Sequence, residues 1–369
     1  SDFEITFVDV FEPIVNVLNE KKQYHVHVLG DESLDSDVTG IQAFTYDSKK
    51  EIYDEFYKAD LAFVSVGGNH LPAAAQSVAD IINTYGAQKV VKNIIVCENW
   101  KDAAETFKKP LMEALNDENR KIFEEYVGIS EAVLMRTATP PDAELAKKYP
   151  QDVWVQNFWY LPIDKSRLKG EIPEIKSVEL MDHFGNFLTQ KMYTNNTSNA
   201  VIAYTGYLLG YDILADAANS PEIQKLLDSA YKEINQTLEA ELGVDPAQQE
   251  AFAKKARAKY CDRVIVDKVI RHAKDPLRKL GPQDRLVAPC RMALKHGIYP
   301  KTLIDTIAKA LYFDESTDES AMKLKEMRQT YGVEYVLQNV CELDKEEPLY
   351  AEVLKSVEEI KEKGLYNLV

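Results

Sequence analysis

The residues best equipped for chemistry are Lys191, Asn195, Asn196 and Asn199. They stand at the head of KMYTNNTSNAVIAYTGY (residues 191–207), whose remainder is apolar and studded with tyrosine. Asparagine is mildly unfavourable inside a helix, because its amide competes for backbone hydrogen bonds, so a crowd of them needs a reason. On a helix turning roughly 100° per residue, Lys191, Asn195 and Asn199 share one narrow arc and Asn196 flanks it. A lysine whose pKa is lowered by burial can act as a general base near neutral pH. Amides beside it can polarise a carbonyl or hold an alkoxide. The plainer alternative is a solvated first turn capped by an asparagine.

A second group of candidates lies where strands end. The runs FEITFVDV (3–10) and YHVHVLG (24–30) read as strands, the first of them buried. Residues 59–86 and 93–115 each read as strand, polar turn and helix. Strands alternating with helices predict βαβ units and a parallel sheet, with ligands beyond the carboxyl ends of the strands. That rule selects Asp9, the turn Gly67-Gly68-Asn69-His70, and Cys97-Glu98-Asn99. Asp9 closes what reads as the second strand of a dinucleotide-binding fold, where an acid binds the ribose hydroxyls of NAD and repels the 2′-phosphate of NADP. The Gly-rich pyrophosphate turn belongs about 20 residues upstream of such an acid. It is therefore expected ahead of Ser1. Gly67 would let backbone approach a cofactor closely, with Asn69 beside it; a plain strand-to-helix turn capped by Asn69 is the alternative.

Beyond about residue 175 the pattern becomes helical, over 178–215, 221–242, 246–273, 300–312, 317–340 and 347–364. Two of these helices open with a cap and a proline, at Ser220-Pro221 and Asp245-Pro246. The expectation is a Rossmann-type α/β domain over 1–172, lacking its first strand and Gly-rich turn, and an all-α domain over 173–369, with the site in the cleft between them. A basic cluster at Arg278 and Lys279, with Arg271 and Lys274 nearby, suits a phosphorylated ligand. It also suits a helix C-terminus complementing its dipole. Asp284 and Arg285 read as an internal ion pair. His25 and His27 alternate on one strand, but no carboxylate-rich pattern accompanies them, so no metal is assigned. His183, His272 and His296 read as surface or satisfied core groups. Trp100, Trp154 and Trp159 read as packing anchors.

The 369 residues carry a formal net charge of −16, with 45% hydrophobic and 28% charged residues. This is globular composition, and the acidity argues against nucleic acid or an anionic membrane as partner. Four cysteines without a CxxC pair, Cys97, Cys261, Cys290 and Cys341, suggest reduced thiols and a cytoplasmic location. No apolar run approaches a membrane span. The absence of an obvious apolar stripe favours a monomer.

Lys191-x4-Asn196 followed by AVIAYTGYLLGY resembles the signature Lys-x4-Asn-x2-His of the polyol-specific long-chain dehydrogenases. CENW (97–100), LPIDKSRLKGEIP (161–173) and above all DPLRKLGPQDRL (275–286) extend the resemblance over nearly the whole chain. It implies a metal-independent, NAD-dependent enzyme interconverting a sugar alcohol phosphate and its keto sugar phosphate, with mannitol 1-phosphate and fructose 6-phosphate as the expected pair. It further implies Lys191 as catalytic base, Asn196 and Asn99 as amides on the reacting oxygen, and Asp9 as ribose acid. Asn199 departs from the family's His. It can hydrogen-bond a substrate but carries no proton. That departure leaves open a hexuronate or unphosphorylated polyol as substrate, or a non-catalytic protein on a dehydrogenase scaffold.

Overall fold

The computed structural model describes residues 3–364 apart from Lys101, Pro140, Asp142 and Lys363. It has two compact units, Ser1–Gly185 and Asn186–Val369. The first runs β1 (Ile5–Asp9), α1 (Glu12–Lys21), β2 (Gln23–Leu29), β3 (Ser36–Thr39), β4 (Ile41–Thr45), α2 (Lys49–Lys58), β5 (Leu61–Val64), α3 (Leu71–Tyr85), β6 (Lys92–Cys97), α4 (Ala103–Ala114), α5 (Asp117–Tyr126), β7 (Val127–Ala132), α6 (Ala143–Lys148), β8 (Val153–Gln156), β9 (Leu161–Asp164) and β10 (Val178–Met181). The expected βαβ organisation is present. β5, β6 and β7 are parallel neighbours in a sheet ordered β10-β9-β7-β6-β5. β1 pairs in parallel with β4 alone among the described strands, and β2 lies between β3 and β8 in a third sheet.

Every residue of β6 and β7 is buried, as the centre of a sheet covered on both faces requires. Leu71, Ile82, Phe107 and Leu111 of α3 and α4 close one face at 0–1% exposure. Each such side chain contributes about 1.5–3 kcal/mol through burial. β1 differs from the buried strand expected of its apolar run: Val8 is 44% exposed, and among the described strands β1 has only β4 beside it.

The second unit is helical. After α7 (Phe184–Lys191), which begins two residues before it, come α8 (Thr197–Leu208), α9 (Leu214–Ala218), α10 (Pro221–Leu242), α11 (Pro246–Cys261), α12 (Val269–Ala273), α13 (Pro276–Lys279), α14 (Val287–Lys295), α15 (Lys301–Ala310), α16 (Glu319–Tyr331), α17 (Val333–Asn339) and α18 (Pro348–Glu362). The two capped starts form as their residues dictate. The Ser220 hydroxyl accepts from the Ile223 amide, and the Asp245 carboxylate from the Gln248 amide. α8 is the axis of this core, with Val201, Ile202, Ala203 and Tyr204 fully buried. At Gly206 a Cβ would lie 2.9 Å from the Ala217 Cβ, so glycine sets how closely α8 approaches α9.

The helical pattern expected over 178–215 needs correction. Val178–Met181 is a strand paired in parallel with Leu161–Asp164, and the helix after it is interrupted. Pairing with a partner some 17 residues back in the chain overrides the local pattern. Among the described residues no helix is long and apolar enough to cross a membrane.

Candidate active site

The interruption falls at the polar knot. Met192–Asn196 forms a π turn between α7 and α8, with the Thr197 amide donating to the Met192 carbonyl five residues back. Such turns are rare and recur at functional sites. The widened turn changes the arc expected for an α-helix. The carbonyls displaced by the widening are met by side chains. The Ser198 hydroxyl donates to Thr194 O at 2.7 Å and to Asn195 O at 3.0 Å, and the Tyr260 hydroxyl donates to Asn195 O at 3.0 Å. From below, buried Gln249 donates to Thr194 Oγ1 and Asn235 Oδ1. A polar network holds the distortion, which otherwise would relax to an α-helix.

Three amides emerge with different environments. Asn195 is 5% exposed and its Nδ2 has no hydrogen-bond partner among the described residues. A buried unpaired amide costs about 1–3 kcal/mol, and groups of this kind concentrate at functional sites. Asn196 Nδ2 lies 3.0 Å from the Met192 sulfur, a weak acceptor that gives way to a better one. Asn199 is 6% exposed, with Nδ2 3.0 Å from His272 Nδ1. His272 Nε2 in turn lies 2.7 Å from Asp267 Oδ2. With Asp267 accepting from Nε2–H, Nδ1 is the acceptor for the Asn199 amide. Burial acts to raise the Asp267 pKa, but hydrogen bonds from His272 and Arg271 hold it well below the usual carboxylate range.

Lys191 closes α7 and is largely removed from water. Desolvation first, then the positive charges of Arg285 and Lys259, bring its pKa down to about 8. Lys279 is 5% exposed, and its amine donates to the His272 carbonyl. Burial and the charges of Arg285 and Arg278 lower its pKa to about 7. Arg278 is the accessible cation of this group, its side chain 53% exposed. Its Nε lies 2.7 Å from Asp275 and its Nη1 3.0 Å from Asp284. Arg285 does pair with Asp284, at 2.8 Å, and its carbonyl accepts from the Thr197 hydroxyl at the head of α8. The helical unit thus draws Lys191, Asn195, Asn196, Asn199, Arg278, Lys279 and Arg285 into one neighbourhood. His272, read from sequence as a surface or satisfied core group, and Lys259 join it without a signal in the sequence. Asn199 and His272 lie 73 residues apart, so no local spacing signals their contact.

In the first unit Asp9, Gly67, Asn69 and Asn99 all lie at carboxyl ends of parallel strands, as the fold rule requires. Asp9 is exposed, with Oδ1 accepting from the Phe11 amide at 2.8 Å. Gly67 has φ +84°, a left-handed conformation suited to glycine, and its amide donates to Glu98 Oε1 at 2.6 Å. That bond ties the β5 turn to the β6 turn. A Cβ on Gly68 would collide with the Trp100 ring at 2.2 Å. Asn69 is exposed and does not cap α3, which has no side-chain cap. Asn99 is exposed on the turn after β6.

An α/β unit with an acid at a strand end is followed by a helical unit carrying a desolvated lysine among amides. Comparison with known proteins agrees. Residues 1–177 match the mannitol dehydrogenase Rossmann domain, and residues 183–361 match the mannitol dehydrogenase C-terminal domain. The chain belongs to the mannitol dehydrogenase family. Mannitol-1-phosphate 5-dehydrogenase of Bacillus subtilis is 33% identical over 97% of this chain and 94% of its own length. That of Caldanaerobacter subterraneus is 29% identical over 98% and 94%. A substrate-free D-sorbitol dehydrogenase shares the fold with a TM-score of 0.78 at 16% identity, covering 99% of this chain and 88% of that one. Mannitol 2-dehydrogenase of Pseudomonas fluorescens, in complex with NAD and D-mannitol, gives 0.68 at 15% identity, covering 99% and 86%.

Proposed function

We propose that this protein is an NAD-dependent dehydrogenase that interconverts a sugar alcohol phosphate and its keto sugar phosphate, with mannitol 1-phosphate and fructose 6-phosphate as the pair. The observation that carries the reading is Lys191, an amine brought to a pKa of about 8 among amides whose hydrogen bonds are weak or unmade. Asp9 fits the cofactor. Its exposed carboxylate has one oxygen beyond the Phe11 contact with no hydrogen bond among the described residues, suited to ribose hydroxyls and hostile to a 2′-phosphate. Gly67 and Asn69, on the turn after β5, are offered as further cofactor contacts. NAD, when bound, supplies the acceptor or donor of hydride at the substrate's carbinol carbon.

The chain's own residues handle the proton and the oxygen. Lys191 takes the hydroxyl proton during oxidation and returns it during reduction. Asn196 releases the Met192 sulfur and donates to the oxygen as negative charge develops there. Asn99 of the first unit matches the family's second site amide. Asn199 stands in this reading as the link between substrate and the His272–Asp267 pair: it holds no proton itself but is oriented by an imidazole that a carboxylate fixes. Arg278 meets the phosphate, exchanging part of its carboxylate pairing for it. Lys279, whose pKa burial lowers to about 7, ties down the His272 carbonyl.

One observation favours the second reading, an unphosphorylated polyol: Arg278 is already paired with Asp275 and Asp284. Steady-state rates with NADH on fructose 6-phosphate, fructose and a keto-uronate separate the two. The proposal expects fructose 6-phosphate to lead in kcat/KM by at least tenfold, with Arg278→Ala erasing the lead. Equal or better rates on fructose would move the assignment to a free polyol.

A further inference from the structure

We propose that His25, His27 and Asp35 form a binding site for a divalent transition metal of the Zn²⁺ type in the first unit, separate from the dehydrogenase chemistry. The two histidines alternate on β2, so their side chains leave the same face. Their rings lie 4.4 Å apart. β3 returns antiparallel beside β2, pairing His25 with Asp37, and this reversal delivers the carboxylates that no pattern near His25 and His27 announced. Asp35 ends the short turn before β3. Its Oδ1 accepts from the Val28 amide at 2.7 Å, which aims Oδ2 at the histidines. That oxygen lies 3.3 Å from His25 Nε2 and 3.5 Å from His27 Nδ1. The three donor atoms all fall within 4.8 Å of one another.

These separations suit a metal better than direct hydrogen bonds. Zinc bonds of about 2.0–2.2 Å in tetrahedral geometry put neighbouring donor atoms about 3.3–3.5 Å apart. Charge-assisted hydrogen bonds of imidazole to carboxylate are shorter, about 2.7–2.9 Å, so the one from His25 Nε2 to Asp35 at 3.3 Å is long. The remaining ring nitrogens complete the argument. His25 Nδ1 lies 2.7 Å from Asp37 Oδ1, and His27 Nε2 lies 3.5 Å from Asp152 Oδ2. Each imidazole thus presents one nitrogen to the shared point and the other to a carboxylate, the arrangement that orients metal-binding histidines. His27 Nε2 is buried and makes no hydrogen bond within normal limits, so Asp152 faces it without satisfying it. Asp152 is itself anchored, accepting from the His25 amide at 3.0 Å. His27 is stacked on Trp154 at 4.4 Å, which fixes its ring plane. Three carboxylates around two imidazoles give the point a negative field. Both histidines keep about a third of their side-chain surface exposed, which leaves room for a water as fourth ligand. Two imidazoles and one carboxylate favour zinc over calcium or magnesium. Bound there, the ion would pin β2 to the turn before β3.

The test is calorimetric titration of the chelator-stripped full chain with ZnCl₂, beside Asp35→Asn and His27→Gln variants. The expected result is one saturable site per chain, weakened at least tenfold in either variant, with a higher Tm on zinc addition in the parent only. NADH-linked activity per folded molecule should be equal in parent and variants. Circular dichroism reads folding, and Asp35→Asn retains the acceptor for the Val28 amide should His27→Gln prove unstable. Zinc binding that is absent, or that survives Asp35→Asn unchanged, overturns the proposal.

Discussion

At the scale of single residues the account turns on desolvated cations in an acidic protein. With a pKa of about 8, Lys191 is mostly protonated at pH 7 and mostly neutral at pH 9. Oxidation needs the neutral amine, so its rate rises with pH and levels off above about pH 8. Reduction needs the ammonium, so its rate falls through the same range. Rate–pH profiles in the two directions check this, and two limbs of the same sign would contradict it. His272 is the second test at this scale. His272→Ala leaves the Asn199 amide unpaired in a buried position, at a cost of about 1–3 kcal/mol. The expected outcome is a loss in kcat/KM of about tenfold or more. An Asn199→His/His272→Ala double variant should recover part of it, and activity assays on the three proteins show whether it does. Much of this site was legible from residue types alone, because a lysine and asparagines crowding the entrance to an apolar helix contradict local propensity. The Asn199–His272–Asp267 chain was not, since it depends on packing α8 against α12. The Asp35 and Asp37 carboxylates beside the two β2 histidines were missed for a related reason: only the antiparallel return of β3 brings them there.

At the scale of elements, the alternation of strand and helix over 59–115 was readable, and so were the capped starts of α10 and α11. In those segments local propensity and tertiary position agree. The π turn was not readable. Nothing in Met192–Asn196 separates it from an α-helix until Gln249, Tyr260 and Ser198 arrive to meet the displaced groups. Likewise β10 is a strand because β9 lies beside it. The approach of α8 to α9 gives a direct stability prediction. Gly206→Ala places a Cβ 2.9 Å from Ala217 and should destabilise the protein by about 1–3 kcal/mol, against the gain usual for Gly→Ala within a helix. Urea denaturation measures the difference. A stabilised variant would show that the two helices can move apart at no cost.

At the scale of the whole molecule, three desolvated lysines link stability to pH. Burial brings Lys191 and Lys309 to about 8 and Lys279 to about 7, against an ordinary value near 10.5. Between those values the unfolded chain binds more protons than the folded one, so the free energy of unfolding rises with pH. Their contribution is complete above about pH 10.5 and is lost as pH falls through 8 and then 7. Cys97 and Cys341 act in the opposite sense from about pH 9, because burial raises both thiols to about 12. From pH 7 to 8.5 chemical denaturation should show stability increasing, offset in part by His25, whose hydrogen bond to Asp37 raises its pKa and acts in the opposite sense. Lys279→Met should flatten that rise.

The central claim is that Lys191 is the base of a dehydrogenase. The most direct measurement is NADH oxidation with fructose 6-phosphate by the parent and by Lys191→Ala, together with NADH affinity and thermal unfolding of both. The account predicts a loss of about 10²–10⁴-fold in turnover. It also predicts unchanged NADH binding and an equal or higher Tm at pH 7, because a desolvated charge is removed. Turnover within a few-fold of the parent would contradict it.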